Sequence, residues 1–199
     1  VQDYKGNKDF NNKESGLLGF EQIDDISIVL APDECKYYKG GKGLLTPEIV
    51  IHCENMKDRF AILQCEEKVE NSSELVPPVD SKCAAFYYPW IKVLNPLNQR
   101  ITNIPPGGHI AGVYARSDTE RGVHKAPANE VLRGALELQM PVGKGIQDVL
   151  NPRGVNCIRT FPGRGIRIWG ARTTSSDPIW KYINVRRLFL YIGESIEQG

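Results

Sequence analysis

Between residues 23 and 65 the chain switches from one hydrophobic rhythm to another and back, and this alternation restricts its fold more than any other feature. Ile23, Ile26, Ile28, Val29 and Leu30 form a β-branched run that stops at Ala31-Pro32, the pattern of a buried strand followed by a turn. Lys39 to Gly43 reads as a flexible turn. Thr46-Pro47-Glu48 supplies an N-cap, a proline at the first helical position and an early acid, so a helix is predicted from about Pro47 to Arg59. Phe60 to Cys65 reads as the next strand. Strand, helix, strand in that order is a βαβ unit. The predicted class is α/β, a mixed or mostly parallel sheet flanked by helices in a layered, Rossmann-like core.

Further along, Glu66 to Lys82 is a polar, proline-containing connection, and Cys83 to Val93 reads as one strand in which Pro89 calls for a bulge or an edge position. Arg100 to Ile104 reads as a short extended segment. Ile110, Val113 and Tyr114 recur at helical spacing, which predicts a helix over Gly108 to Glu120, with Gly112 allowing close packing. Val131 to Leu138 fits a strand or a short helix, and Asp148 to Arg153 a turn-prone connection. Val155 to Thr160 and Gly165 to Ala171 read as strands joined at Pro162-Gly163, and Asp177-Pro178 opens a last helical pattern. Residues 1–20 are polar and read as an opening loop or truncated edge, leaving 21–199 as the folded unit.

Composition narrows the function. No apolar run approaches the roughly 18 to 20 residues of a membrane span, and Val1 to Asn12 lacks the apolar stretch of a signal peptide, so folding in the cytoplasm is expected. Five scattered cysteines show no CxxC pair or metal-ligand spacing. Four lie in or beside apolar segments and are expected to be reduced and buried. Cys35, among charges and tyrosines, is expected to be exposed. Residues 1–99 hold 11 basic and 16 acidic side chains, net −5, whereas 100–199 hold 14 and 8, net +6. A basic half suits nucleic acid, or a subunit whose basic face meets an acidic one on its neighbour.

The candidate chemical motifs fail on spacing. Gly163-Arg164-Gly165 with Gly170 lacks the GxGxxG spacing of a dinucleotide site, and Ile166 to Trp169 alternate as a strand. His52 and His109 have no partners at catalytic or metal spacing. In Arg116-Ser117-Asp118-Thr119-Glu120-Arg121 each acid has an arginine within three residues, so ion pairing at a helix end or between subunits is expected rather than acid–base catalysis. Arg159, Arg164, Arg167 and Arg172, with Phe161 and Trp169 between them, resemble a basic aromatic patch, yet the whole chain is nearly neutral.

Pro105 to Glu130 (PPGGHIAGVYARSDTERGVHKAPANE), Gly154 to Trp180 (GVNCIRTFPGRGIRIWGARTTSSDPIW) and Lys181 to Leu188 (KYINVRRL), with RFAIL and YYPWIKV upstream, resemble contractile-tail sheath proteins. The resemblance runs from about Ile23 to the end. It implies a structural subunit, not an enzyme, without cofactor or metal. Such a subunit stacks in six-membered rings around an inner tube and contracts to drive that tube through an envelope. The implied partners are neighbouring sheath subunits, the tube, and baseplate and tail terminator proteins, with no nucleic acid and no membrane insertion. The implied location is a virion tail or injection particle assembled in the host cytoplasm. The chain is expected to be a core lacking its N- and C-terminal arms, and to be a monomer or weak oligomer alone. Candidate intersubunit or tube contacts are Arg116, Asp118, Glu120, Arg121, His124 and Lys125, with Arg159, Arg164 and Arg172 facing acids on a neighbour. A nucleotide-binding enzyme on the same βαβ order is the alternative.

Overall fold

The computed structural model describes residues 1–11, 13–39 and 42–197. The polar opening holds two short helices, α1 (Gln2–Lys5) and α2 (Gly16–Phe20), where a loop was expected. Of the apolar run from residue 23, only β1 (Ile28–Val29) joins a sheet. A 3-10 turn, Pro32–Tyr37, follows, then an antiparallel pair, β2 (Tyr38–Lys39) and β3 (Lys42–Gly43). The ends of the expected flexible turn are therefore paired, and its tip, residues 40 and 41, lies outside the described residues.

Helix α3 (Thr46–Met56) starts one residue before Pro47 and stops three before Arg59, at the left-handed Lys57, whose amide N–H donates to the Cys53 carbonyl. Thr46 does not cap it. It lies inside the first turn, and its hydroxyl donates to Glu34 instead. Strands β4 (Phe60–Gln64) and β5 (Ala84–Tyr88) are buried at all five positions, the mark of a sheet covered on both faces. The predicted Cys83–Val93 strand divides at Pro89, which lacks the N–H a continuous ladder needs. Its second part, β6 (Ile91–Leu94), joins β7 (Ile101–Ile104) in another sheet.

Helix α4 (Gly107–Arg121) matches its prediction, but Gly112 is exposed and faces open space. The glycine required by close packing is Gly107. Its amide donates to Gln64 Oε1 at 2.8 Å, and a Cβ there would sit 2.4 Å from that oxygen. In the ambiguous stretch, β8 (Glu137–Leu138) pairs with β6. The expected turn at 148–153 is helical instead: α5 (Lys144–Leu150) followed by a 3-10 turn, because Leu150, fully buried, and Gln147 pack inward. β9 (Val155–Phe161), β10 (Gly165–Trp169), a 3-10 turn at Pro178–Trp180 and α6 (Ile183–Glu197) complete the chain.

The central sheet runs β1-β4-β5-β9-β10, parallel except for β10. One face packs residues of α3 and α5, including Ile49, Val50 and Leu150, over Leu63, Phe86 and Cys157. The other packs Ile110, Val113 and Tyr114 of α4 and Ile183 and Leu190 of α6 over Ile62, Tyr87 and Ile158. Three layers result, as the α/β class requires. The antiparallel trio β7-β6-β8 is a separate sheet.

Candidate assembly surface

Charged side chains fall into two groups: those neutralised inside the chain and those left for something else. Asp118 accepts two bonds from Arg187, at 2.9 and 2.6 Å, and Arg187 is 5% exposed. The partner thus comes from α6, not from the arginines beside Asp118 in sequence. The Arg187 guanidinium also lies 4.7 Å from the Tyr114 ring centre, and the Tyr114 hydroxyl is 2.6 Å from that of Tyr87. Burial raises the pKa of both tyrosines. Together these contacts lock α4 to α6 and to the sheet.

Arg116 is similarly occupied, donating to the Val131 carbonyl at 2.8 Å with Glu130 at 3.9 Å, and Lys125 pairs with Glu130 at 3.0 Å. Of the predicted cluster, Arg116, Asp118 and Lys125 therefore act within the chain, while Glu120, Arg121 and His124 are exposed. Sequence reasoning missed Arg59. Fully buried, it pairs with Asp58 and donates to the carbonyls of Phe20 and Ile23, fastening the opening segment to the core. Its signal was faint, a lone arginine opening an apolar strand.

The β9–β10 hairpin is different. The turn at Gly163 and Gly165, both at positive φ, reverses a strand rather than opening a helix. Odd-numbered positions put Arg159, Phe161, Arg167 and Trp169 on one face, since Arg159 pairs with Arg167 and Phe161 with Gly165 across the ladder. Phe161 and Trp169 stack at 4.5 Å, and Arg159 and Arg164 lie 5.1 and 5.8 Å from the Phe161 ring centre. Arg159 donates to the Val142 carbonyl, Arg164 to Asn129, and Arg167 to the carbonyls of Asn129 and Arg164. Arg172 sits 6.0 Å from the Tyr182 ring centre. Among the described residues none of these four arginines has a carboxylate within 4.0 Å. Their charge is uncompensated by any described carboxylate of the chain.

The thiols of Cys35, Cys53, Cys65 and Cys157 all have raised pKa values, the opposite of a primed nucleophile. Cys35 is part-buried rather than exposed, its thiol donating to the Cys65 carbonyl at 3.4 Å, and burial pushes its pKa up to about 12. Burial likewise pushes Cys157 up to about 12 and raises Cys53 and Cys65. His52 and His109 are lowered, chiefly by burial, which favours the neutral ring. Among the described residues no group of three or more His, Cys, Asp or Glu side chains could hold a metal ion, and no helix is long and apolar enough to cross a membrane.

The profile of the family described as "Phage tail sheath protein central domain" matches residues 45–174. The tail sheath protein of Burkholderia phage BcepMu is 29% identical over 118 residues, 55% of this chain and 25% of that protein. Among solved structures, the sheath complex of the extracellular contractile injection system PVC, in its contracted state, superposes with a TM-score of 0.74 at 31% identity. The match covers 92% of this chain and 51% of that one. The contracted helical sheath of the anti-feeding prophage gives 0.71 at 32% identity, covering 90% and 48%. The chain thus spans a quarter of that phage protein and about half of those sheath chains.

Proposed function

The chain belongs to the phage tail sheath proteins through a central domain at residues 45–174, and from that premise we propose that it is a structural subunit of a contractile sheath. The subunits polymerise as stacked hexameric rings around an inner tube and shorten to drive the tube through a target envelope. The observation that carries this reading is the agreement of family match and fold: the sheet and helices follow those of two contracted sheaths at 31% and 32% identity. The partners are neighbouring sheath subunits, the tube, and baseplate and terminator proteins; the setting is a phage tail or injection particle, assembled in the host cytoplasm. In this division residues 1–20 form the edge and 21–199 the sheath core.

The charge distribution supports a lattice role. Glu120, Arg121 and His124 at the outer end of α4, and Arg159, Arg164 and Arg172 on or beside the hairpin, are the contacts assigned to neighbours or tube. Exposed ion pairs contribute at most about 1 kcal/mol each, so many of them hold a lattice while letting it slip and re-form. Nothing favours the enzyme alternative. The helix that follows β1 in the chain, α3, opens on Leu45-Thr46-Pro47 and not on the GxGxxG turn of a dinucleotide site. Electron microscopy of the full-length protein tests the reading: hollow tubes are expected, and a protein that stays dispersed under assembly conditions refutes it.

A further inference from the structure

The uncompensated arginines of the hairpin have a counterpart on the same chain. Between the end of β4 and the connection that follows lies an open pocket of about 580 Å³. Its apolar lining includes Val69, Leu75 and Phe86; Glu66, Glu70 and Glu74 also line it, and Lys68 is a basic residue among them. Phe86 is buried, whereas Glu70 and Glu74 are exposed. Leaving aside Lys39 and Lys42, whose side chains lie outside what is described, none of these three carboxylates has a cation within 4.0 Å among the described residues. The chain therefore carries an acid-rimmed pocket of mixed polar and apolar lining and an arginine-flanked aromatic hairpin, and among the described residues neither meets the other.

We propose that the pocket behind β4 receives the β9–β10 hairpin of a second copy of this chain. Phe161 and Pro162 cover the apolar part of the lining, Val69, Leu75 and Val76, while Arg159 and Arg164 reach the glutamates at its rim. The complementarity is of both kinds, opposite charge and apolar against apolar. The two surfaces also lie at different places in the sheet, one behind β4 and β5 and the other on the outer strand β10. A contact between unlike surfaces is heterologous: it repeats head to tail, closing into a ring or running on as a helix. The inference rests on the sheath reading, which supplies a lattice built from such repeats.

A charge swap on the 199-residue chain tests it, with self-association followed by sedimentation velocity over a concentration series. R159E/R164E and E66K/E70K should each weaken association about tenfold or more, and the four substitutions together should restore it. Salt should weaken the unmodified chain. Melting curves separate misfolding from lost contact. As a second readout, a photoreactive phenylalanine at Val76, 56% exposed beside the pocket, should cross-link to a peptide containing Phe161–Arg164. Unchanged association of E66K/E70K, failure of the combined variant to recover, or no association of the unmodified chain would each overturn the inference. Full-length E66K/E70K that still builds tubes defeats this contact and leaves the sheath reading standing. Loss of tubes in the unmodified full-length protein defeats the sheath reading instead.

Discussion

Replacing Asp118 by alanine strands the Arg187 guanidinium in a site where only 5% of its side chain is exposed. Removing one partner of a buried pair typically costs about 3–5 kcal/mol, because the remaining charge stays desolvated without a counter-ion. Asp118 itself is 22% exposed, which lets water reach the vacated side, so the lower end, about 3 kcal/mol, is expected. For a chain of this length each kcal/mol moves the melting temperature by roughly 2–4 °C, giving a fall of about 6–12 °C. Adding Arg187→Met removes the stranded charge and leaves an apolar stem against Tyr114. The double variant should therefore be more stable than Asp118→Ala alone, by about 1–2 kcal/mol. Urea unfolding of the four proteins of the cycle, at low and high salt, measures this directly, and the coupling should be nearly salt-independent because the pair is shielded. A loss below about 1 kcal/mol for Asp118→Ala, the range of exposed pairs, would refute the assignment of this contact as the lock between α4 and α6.

The Glu34 carboxyl is buried with its second oxygen unpartnered and faces Cys35, Tyr38 and Cys65, with Thr46 donating to it; burial raises its pKa from 4.5 to about 8. A raised carboxyl stabilises the fold fully below its unfolded value, and that contribution fades as the pH climbs to 8. Glu34→Gln should remove a pH-dependent loss of at most about 5 kcal/mol, and identical stability–pH curves from pH 5 to 9 would count against it. Gly107→Ala should cost about 1–3 kcal/mol by forcing Gln64 away from the α4 amide, measurable by denaturant melts. Leu63→Ala, in the buried centre of β4, should cost about 2–5 kcal/mol by the same assay. Charge reversal at Arg121 in the full-length protein should impair tube assembly without moving the melting temperature. Reversal at Arg116 should also lower that temperature, since its bond to the Val131 carbonyl is lost.

The order of strands and helices was legible because burial writes itself into sequence periodicity: β4, β5, β9 and α4 all fall within a few residues of their predicted positions. Errors gathered where a single residue has to decide. Pro89 read as a bulge or an edge position within one strand, yet it separates two sheets, because whether β6 continues the central sheet or joins β7 depends on a partner further along the chain. The run at 148–153 read as a turn-prone connection, but Leu150 finds a buried slot and the helix through it persists. At the candidate surface, residue type was visible and pairing was not. Asp118 had three arginines nearby in sequence or space, and only the fold could select Arg187, 69 positions away. Conversely, the hairpin arginines were recognised as a cluster, while their lack of carboxylate partners could be established only once every neighbour was placed.

Gln64 shows what kind of brick this domain is. One uncharged amide, fully buried, receives the first N–H of α4 and donates to the carbonyls of Ala31 and Pro32, at 3.1 and 3.3 Å. Neutral hydrogen bonds of this sort feel added salt far less than exposed ion pairs do. The orientation of α4 on the sheet is therefore set by a joint that ions cannot loosen, while the arginines and glutamates outside remain sensitive to them. An assembly of such units can shift its seams under changing ionic conditions with every block keeping its shape.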